Sequence, residues 1–137
     1  MVTLRIALEM AEKALRDAQG DVQKLSEPLR SLHLIESIQF EVTNGGVQQW
    51  LLNDSGRWAR ETIVAFDSIG AAECANLVRE MLRPFGTDGP AKDDSVRSAQ
   101  VAGMDEETLA RLGRLGDELL DWPEDVASLL EATISTP

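Results

Sequence analysis

Several residue types are scarce in this chain of 137 residues, which has one cysteine, one histidine and no tyrosine. The single cysteine, Cys74, excludes an internal disulfide and a zinc site built from several thiolates. The single histidine, His33, has no further ligands at metal-binding spacing. We therefore expect no metal and no cofactor, with Cys74 a small core residue and His33 a structural one.

Long apolar runs are also missing from the sequence. A membrane-spanning helix needs roughly 18 or more consecutive apolar residues, and no window approaches that length. The N-terminal residues alternate apolar with charged side chains, which is unlike a signal peptide. Together with the single cysteine, these features predict a cytoplasmic protein.

Positive charge is scarce as well, since the chain has 24 acidic and 13 basic residues and a formal net charge of −11. Residues 88–137 alone contain twelve acids and four bases. A field of this sign repels nucleic acids and anionic membranes and attracts basic molecules. We expect no direct nucleic-acid binding, no membrane association and a basic DNA-binding protein or another protein as the partner.

No catalytic set can be recognised in the chain. Nucleophilic catalysis needs a nucleophile, a base and an orienting group, whereas Cys74 and His33 fall on different predicted helices. Asn44-Gly45-Gly46 lies between helices with no lysine after it, unlike a phosphate-binding loop. The sequence therefore predicts a protein that is not an enzyme and has no catalytic residues.

Apolar residues recur at helical spacing through most of the chain, and the alternation typical of half-buried strands is absent. This pattern predicts an all-α fold, a single compact domain of six to eight helices over residues 1–137 without a β-sheet. We expect a core region at about 29–85, a flexible connection at about 86–103 and acidic C-terminal helices at about 104–135. Asp94 is expected to cap a short helix that runs through Val101 in the connection.

Two glycines interrupt a predicted helix in the acidic region. Gly113 and Gly116 each cost roughly 1 kcal/mol relative to alanine inside a helix. Glycines are tolerated there when another backbone packs close, so both predict a tight helix crossing.

The most distinctive stretch is EVTNGGVQQWLLNDSG, at residues 41–56. Asn44-Gly45-Gly46 predicts a break between two helical segments, because glycine and asparagine tolerate positive φ. The side-chain amides of Asn44, Gln49 and Asn53 can satisfy the exposed helix ends. A second interpretation is that these amides line a small-molecule pocket at the Asn-Gly-Gly junction.

This stretch resembles the hallmark of the bacterial DNA-mimic protein family, and the resemblance extends over about residues 29–85. The shared pattern comprises Glu41, Asn44, Gly45, Gly46, Gln49, Trp50, Asn53, Ser55 and Gly56. Val47 departs from it, since an aromatic residue is usual at that position. The resemblance implies an all-helical fold and an acidic homodimer that imitates DNA and occupies a DNA-binding protein. The motif itself looks structural.

Mimicry would depend on surface acids that lack a basic neighbour three or four residues away on the same helix. We expect Arg111 to neutralise Glu107 and Arg114 to neutralise Glu118. The acids without such a neighbour, which form the predicted partner-binding site, are Asp105, Glu106, Asp117, Asp121, Glu124 and Asp125.

Two other functions fit the same composition. An immunity or antitoxin-like protein would block a single cognate partner and would use apolar anchors such as Trp58 or Trp122. A small-molecule-binding domain would use the Asn-Gly-Gly junction as its pocket.

Overall fold

Helices make up most of residues 3–135, the part of the chain that this computed structural model describes. They are α1 (Leu4–Asp17), α2 (Glu27–Leu52), α3 (Ala59–Ser68), α4 (Ala72–Leu82), α5 (Asp94–Ala102), α6 (Glu106–Leu120) and α7 (Val126–Ser135). Short 3-10 turns lie at Val22–Lys24, Asp54–Trp58 and Arg83–Phe85. Residues 3–135 contain no strand. The predicted all-α fold of six to eight helices in one domain is confirmed.

The longest helix, α2, forms the centre of the packing and contacts α1, α3, α5, α6 and α7. Leu32, Ile35 and Ile38 on its buried side are at most 1% exposed. These residues recur at the i, i+3 spacing that aligns side chains on one helical face. No helix within residues 3–135 has both the length and the apolar character needed to cross a lipid bilayer.

The path of α2 bends at Gly46, where φ is +80° and ψ is −178°. This backbone region is accessible essentially only to glycine. A Cβ atom at Gly46 would meet open space, so the backbone conformation alone requires glycine here. Helical backbone resumes after Gly46 and continues to Leu52, so the predicted break between two helical segments is confirmed and lies at Gly46.

The crossing of α6 over α2 lies beside this bend. Gly116 of α6 is buried, and a Cβ atom there would lie 2.9 Å from Val47 Cγ2 and 3.2 Å from Val42 Cγ1. Gly113 is exposed and faces open space, so the prediction that it also marks a crossing is wrong. The close approach needs one glycine, on the helix face that points to α2.

Two helices begin directly after an aspartate that caps them. Asp93 rather than Asp94 precedes α5, and its carboxylate Oδ1 accepts a hydrogen bond from the Val96 N–H at 2.9 Å. The last helix, α7, begins at Val126, directly after Asp125. In both cases an aspartate carboxylate at the helix start satisfies a backbone donor that has no intrahelical partner.

A buried arginine attaches residues 86–103 to the rest of the fold. Arg97 of α5 is 0% exposed. Its Nε donates to the Leu51 carbonyl at 2.6 Å and its Nη2 to the Asn53 carbonyl at 3.1 Å. Carbonyls at a helix C-terminus lack intrahelical partners, so Arg97 caps α2 from another helix. The flexibility expected for this segment stays a prediction.

Candidate partner-binding surface

The six acids predicted to bind a partner divide into two groups, and the first group stabilises helix starts. Asp105 Oδ1 accepts a hydrogen bond from the Thr108 N–H at 2.8 Å, and Asp125 Oδ1 accepts one from the Ser128 N–H at 3.2 Å. Hydrogen bonds from Thr108 and Ser128 lower the pKa of Asp105 and Asp125, respectively. Both carboxylates stay ionised at neutral pH, but their oxygens already have donors within the fold.

Glu124 belongs to the same group and reaches a different helix. Its Oε1 accepts a hydrogen bond from the Cys74 N–H in the first turn of α4, at 2.8 Å. The bond fastens the connection between α6 and α7 to α4. The Cys74 thiol is fully buried, and this burial, with the nearby Glu124, raises its pKa to about 12. Such a thiol is not a nucleophile at neutral pH.

The second group consists of acids that have no partner. Glu106, Asp117 and Asp121 are exposed, and none forms a hydrogen bond or an ion pair through its side chain within residues 3–135. All three lie on α6 or directly after its last residue. Their charges are therefore directed to solvent rather than neutralised by the fold.

Two further acids of α6 join this group, contrary to expectation. Arg111 Nη2 donates to Glu80 of α4 at 2.8 Å rather than to Glu107. No ion pair joins Arg114 to Glu118 in the described part of the chain. The predicted intrahelical pairs are wrong because Arg111 finds a carboxylate on the neighbouring helix and Arg114 extends into solvent.

These unpaired acids share one side of α6. We define the α6 acidic face as Glu106, Glu107, Asp117, Glu118 and Asp121. With ~100° of rotation per residue, they span about 120° of the helix, opposite the buried Leu112, Leu115 and Leu119. They form two patches whose Cα positions stand about 15 Å apart along the axis. Arg114 lies between the patches on the same side.

A groove of about 460 Å³ lies next to this face, between α4 and the C-terminal end of α6. It is lined by Glu73, Asn76, Leu77, Glu80, Glu118, Asp121 and Pro123. Glu80 is already paired with Arg83 and Arg111, whereas the other three acids have no ion-pair partner in residues 3–135. The α4–α6 groove thus combines unpaired carboxylates with the apolar Leu77 and Pro123. Lysine and arginine side chains have the matching character, an aliphatic stem with a charged end.

The polar side chains of the Asn-Gly-Gly junction bind within the fold instead. Glu41 Oε2 accepts hydrogen bonds from Gln49 Nε2 and Asn53 Nδ2, each at 2.8 Å. Since Glu41 precedes the bend in α2 and both amides follow it, these bonds join the two halves of the helix. Asn44 Nδ2 donates to the Phe40 carbonyl at 2.9 Å. All three amides predicted to line a small-molecule pocket therefore donate to the protein itself.

The remaining motif residues also have structural contacts. A Cβ atom on Gly45 would lie 1.8 Å from Gln49 Oε1, and one on Gly56 would lie 2.0 Å from the Leu51 carbonyl oxygen. The Ser55 hydroxyl donates to the carbonyl of the fully buried Trp50 at 2.9 Å. The motif therefore builds the bend in α2 and the turn that follows it.

His33 is half-buried on α2, and burial lowers its pKa although Glu12 acts in the opposite direction. The imidazole is therefore neutral near pH 7. No group of three or more His, Cys, Asp and Glu side chains within residues 3–135 is arranged to hold a metal ion.

Comparison with known proteins identifies the family. A family model described as DMP19-like protein matches residues 23–136, a range that includes the bend in α2 and all of α6. The helix α1 precedes the matched residues. No curated protein and no solved structure matches the chain. Because the family model covers most of the sequence, the chain belongs to the DMP19-like protein family.

Proposed function

We propose that the protein is a non-enzymatic DNA mimic, which uses the α6 acidic face to occupy the nucleic-acid-binding surface of a basic protein. The observation that carries this proposal is the set of five unpaired carboxylates on one side of α6. Membership of the DMP19-like family supports it, because DMP19 is a DNA-mimic family. The single, buried Cys74 suits the cytoplasm, where such a partner would be found.

The number of carboxylates along α6 supports imitation of one DNA strand. The helix has 15 residues, which corresponds to a length of about 22 Å. One strand of B-DNA carries a phosphate about every 3.4 Å, so the same length of strand has about six. The α6 acidic face offers five carboxylates, with Arg114 between its two patches. Glu73, across the α4–α6 groove, adds an unpaired acid beside this row.

The α4–α6 groove gives the surface a feature that a simple polyanion lacks. Leu77 and Pro123 line it together with Glu118 and Asp121 of the acidic face. An arginine or lysine of the partner can bury its aliphatic stem there while its charged end meets the carboxylates. This apolar lining also favours a second candidate function, an immunity or antitoxin-like protein that blocks a single cognate partner.

A homodimer, which the family resemblance implies, would present two α6 acidic faces. Light scattering coupled to size exclusion would then give a mass about twice the 15.0 kDa of the chain.

The proposed function is tested by competition with DNA. A fluorescent duplex is bound to a bacterial histone-like protein or, separately, to a helix-turn-helix regulator, and the protein is titrated into each complex at several salt concentrations. A DNA mimic releases the duplex from at least one of them and loses this ability steeply as salt rises, because exposed charges are screened.

The outcomes separate the two candidates. Release of the duplex from both basic proteins supports a general DNA mimic, whereas release from neither, at low salt and with the protein in excess, argues against mimicry. Capture of one stable partner from lysate of the native host, without release in either competition, supports the immunity-like function.

A further inference from the structure

A second groove, of about 880 Å³, lies between α1, the first half of α2 and residues 52–58 at the end of α2 and in the following turn. Its α1 wall includes Leu8, Glu12 and Leu15, and its α2 wall includes His33, Glu36 and Phe40. Each set recurs at spacings of three or four residues, so each belongs to a single helical face. Two helices thus turn one face each toward an unfilled space.

The dimensions of this α1–α2 groove suit a third helix. Leu8 and Leu15 are two turns apart on α1, as are His33 and Phe40 on α2, and each pair spans about 10 Å along the axis. An α-helix about 10 Å across that lies along these walls would contact each of them over about two turns. A partner helix of at least two turns therefore matches the length of the walls.

Large apolar side chains are exposed at this groove. Phe40 is 66% exposed and Leu52 is 41% exposed, and both line the groove. Single exposed apolar residues are common on protein surfaces, but grouped ones rimmed by polar residues mark interaction sites. A protein partner would cover more of this apolar surface than a small molecule could.

The charge of the groove is entirely negative. Glu12, Glu36, Glu41 and Asp54 line it, and no lysine or arginine does so within residues 3–135. Burial lowers the pKa of His33, so the histidine adds no positive charge near pH 7. Burial also raises the pKa of Glu36, whose carboxylate has no basic partner in the described chain. A positive group placed beside Glu36 would stabilise its ionised form.

We propose that the α1–α2 groove binds a basic amphipathic helix of a partner protein. The apolar side of that helix packs on Leu8, Leu15 and Phe40, and its lysines or arginines face Glu12, Glu36 and Asp54. Such helix-in-groove recognition places apolar anchors at i, i+3, i+4 and i+7. The surface is separate from the α6 acidic face, and α1 lies outside the residues that the family model matches.

A labelled peptide tests this proposal by fluorescence anisotropy. The probe is about 14 residues long, four helical turns, with a stripe of leucines on one side and lysines at the positions that flank this stripe. Phe40→Ser is expected to weaken its binding about tenfold, the effect of removing a central apolar anchor. Val64→Ser is the matched control, because Val64 is also 66% exposed but lies on α3, and it is expected to change binding less than about twofold.

Three further measurements can overturn the proposal. A peptide with glutamates in place of the lysines must not bind, since binding of that peptide would refute charge complementarity. The lysine peptide must perturb the NMR signals of Leu8 and Phe40, because a perturbation confined to Glu106, Asp117 and Asp121 would place the contact on the α6 acidic face. If phenethylammonium perturbs the NMR signals of Glu36 and Phe40 while the lysine peptide does not, the groove is a small-molecule site and the proposal is wrong.

Discussion

The Asn-Gly-Gly junction and the α6 acidic face use the same side-chain chemistry in opposite ways. At the junction, Glu41 accepts two hydrogen bonds from amides across the bend in α2. On α6, Glu106 and Asp117 are exposed carboxylates that no donor of residues 3–135 binds. The acid at the junction stabilises the fold, whereas those on α6 are available to another molecule.

Because of this difference, the family motif supports a prediction of the fold but not a prediction of the acids on α6. The motif residues Gly45, Gly46 and Gly56 each satisfy a steric or backbone requirement of the bend and the following turn. Nothing in those requirements fixes which acids project from α6. A sequence can therefore keep the bend while its partner-binding surface changes.

The largest effect is expected from Arg97→Met, which removes the buried cap of α2. Five oxygens accept hydrogen bonds from the guanidinium, including the carbonyls of Leu51 and Asn53. The substitution removes the donor from the buried Leu51 carbonyl and from three part-buried carbonyls, and should lower the free energy of unfolding by about 3 kcal/mol. Urea denaturation followed by circular dichroism measures this. Arg16→Met, at an exposed and unpaired arginine of α1, is the control and should leave the midpoint nearly unchanged.

Gly46→Ala should cause the next largest loss of stability, whereas Gly113→Ala should increase stability. A Cβ atom meets open space at both positions, so only the backbone differs. Alanine at Gly46 has to adopt φ near +80°, at a cost of about 1–3 kcal/mol. Alanine at Gly113, inside α6, should stabilise the protein by about 0.5–1 kcal/mol through helix propensity. Thermal unfolding of the two variants gives the comparison, and equal effects would contradict a backbone requirement at the bend.

Glu41→Ala removes the acceptor that joins the two halves of α2. The amides of Gln49 and Asn53 lose a charged partner, so the variant should be less stable by about 1–2 kcal/mol. Glu106→Ala changes the same residue type on the α6 acidic face and should leave the unfolding midpoint nearly unchanged. If the two variants were equally stable, Glu41 would have no structural role, and the contrast between the two regions would be lost.

The smallest effect is expected from pH. The folded-state pKa of His33 is lowered by burial, so the unfolded chain binds a proton more readily than the folded one. The contribution of neutral His33 to stability is fully present above the unfolded pKa of about 6.5. It is lost as the pH falls below that value toward the lower folded-state pKa. Wild type should therefore lose more stability between pH 7.5 and 5.5 than His33→Gln does. Glu12 raises the histidine pKa and keeps the difference small.

The parts of the structure that the sequence predicts are those governed by local rules. Helical periodicity and the glycine-rich break identify the helices and the bend, and the unpaired Glu106, Asp117 and Asp121 follow from spacing along α6. The parts that it does not predict are contacts between distant elements. Arg97 lies in a polar segment that resembles a loop, and Glu124 caps α4 from 50 positions further along the chain.

The same reason explains the errors on α6. A rule for neighbours three or four residues apart pairs Arg111 with Glu107, but the packing of α6 on α4 offers Glu80 at 2.8 Å instead. The α1–α2 groove escaped prediction because it depends on how two helices lie together. Only the exposed Phe40, on the side of α2 away from the core, gave a local signal for it.

The most direct measurement of the proposed function compares two variants of equal net charge. The first variant, Glu106→Gln/Asp117→Asn/Asp121→Asn, neutralises three of the five acids of the α6 acidic face. The second, Glu9→Gln/Glu27→Gln/Glu131→Gln, neutralises three exposed acids elsewhere. The partner is a basic DNA-binding protein that the wild type releases from its DNA duplex. The affinity of each variant for this partner is measured from about 50 to 200 mM salt. The first variant should bind at least about tenfold more weakly at the lowest salt and show a shallower salt dependence, while the second stays close to wild type. Equal losses in both variants would show that net charge, and not the face on α6, captures the partner.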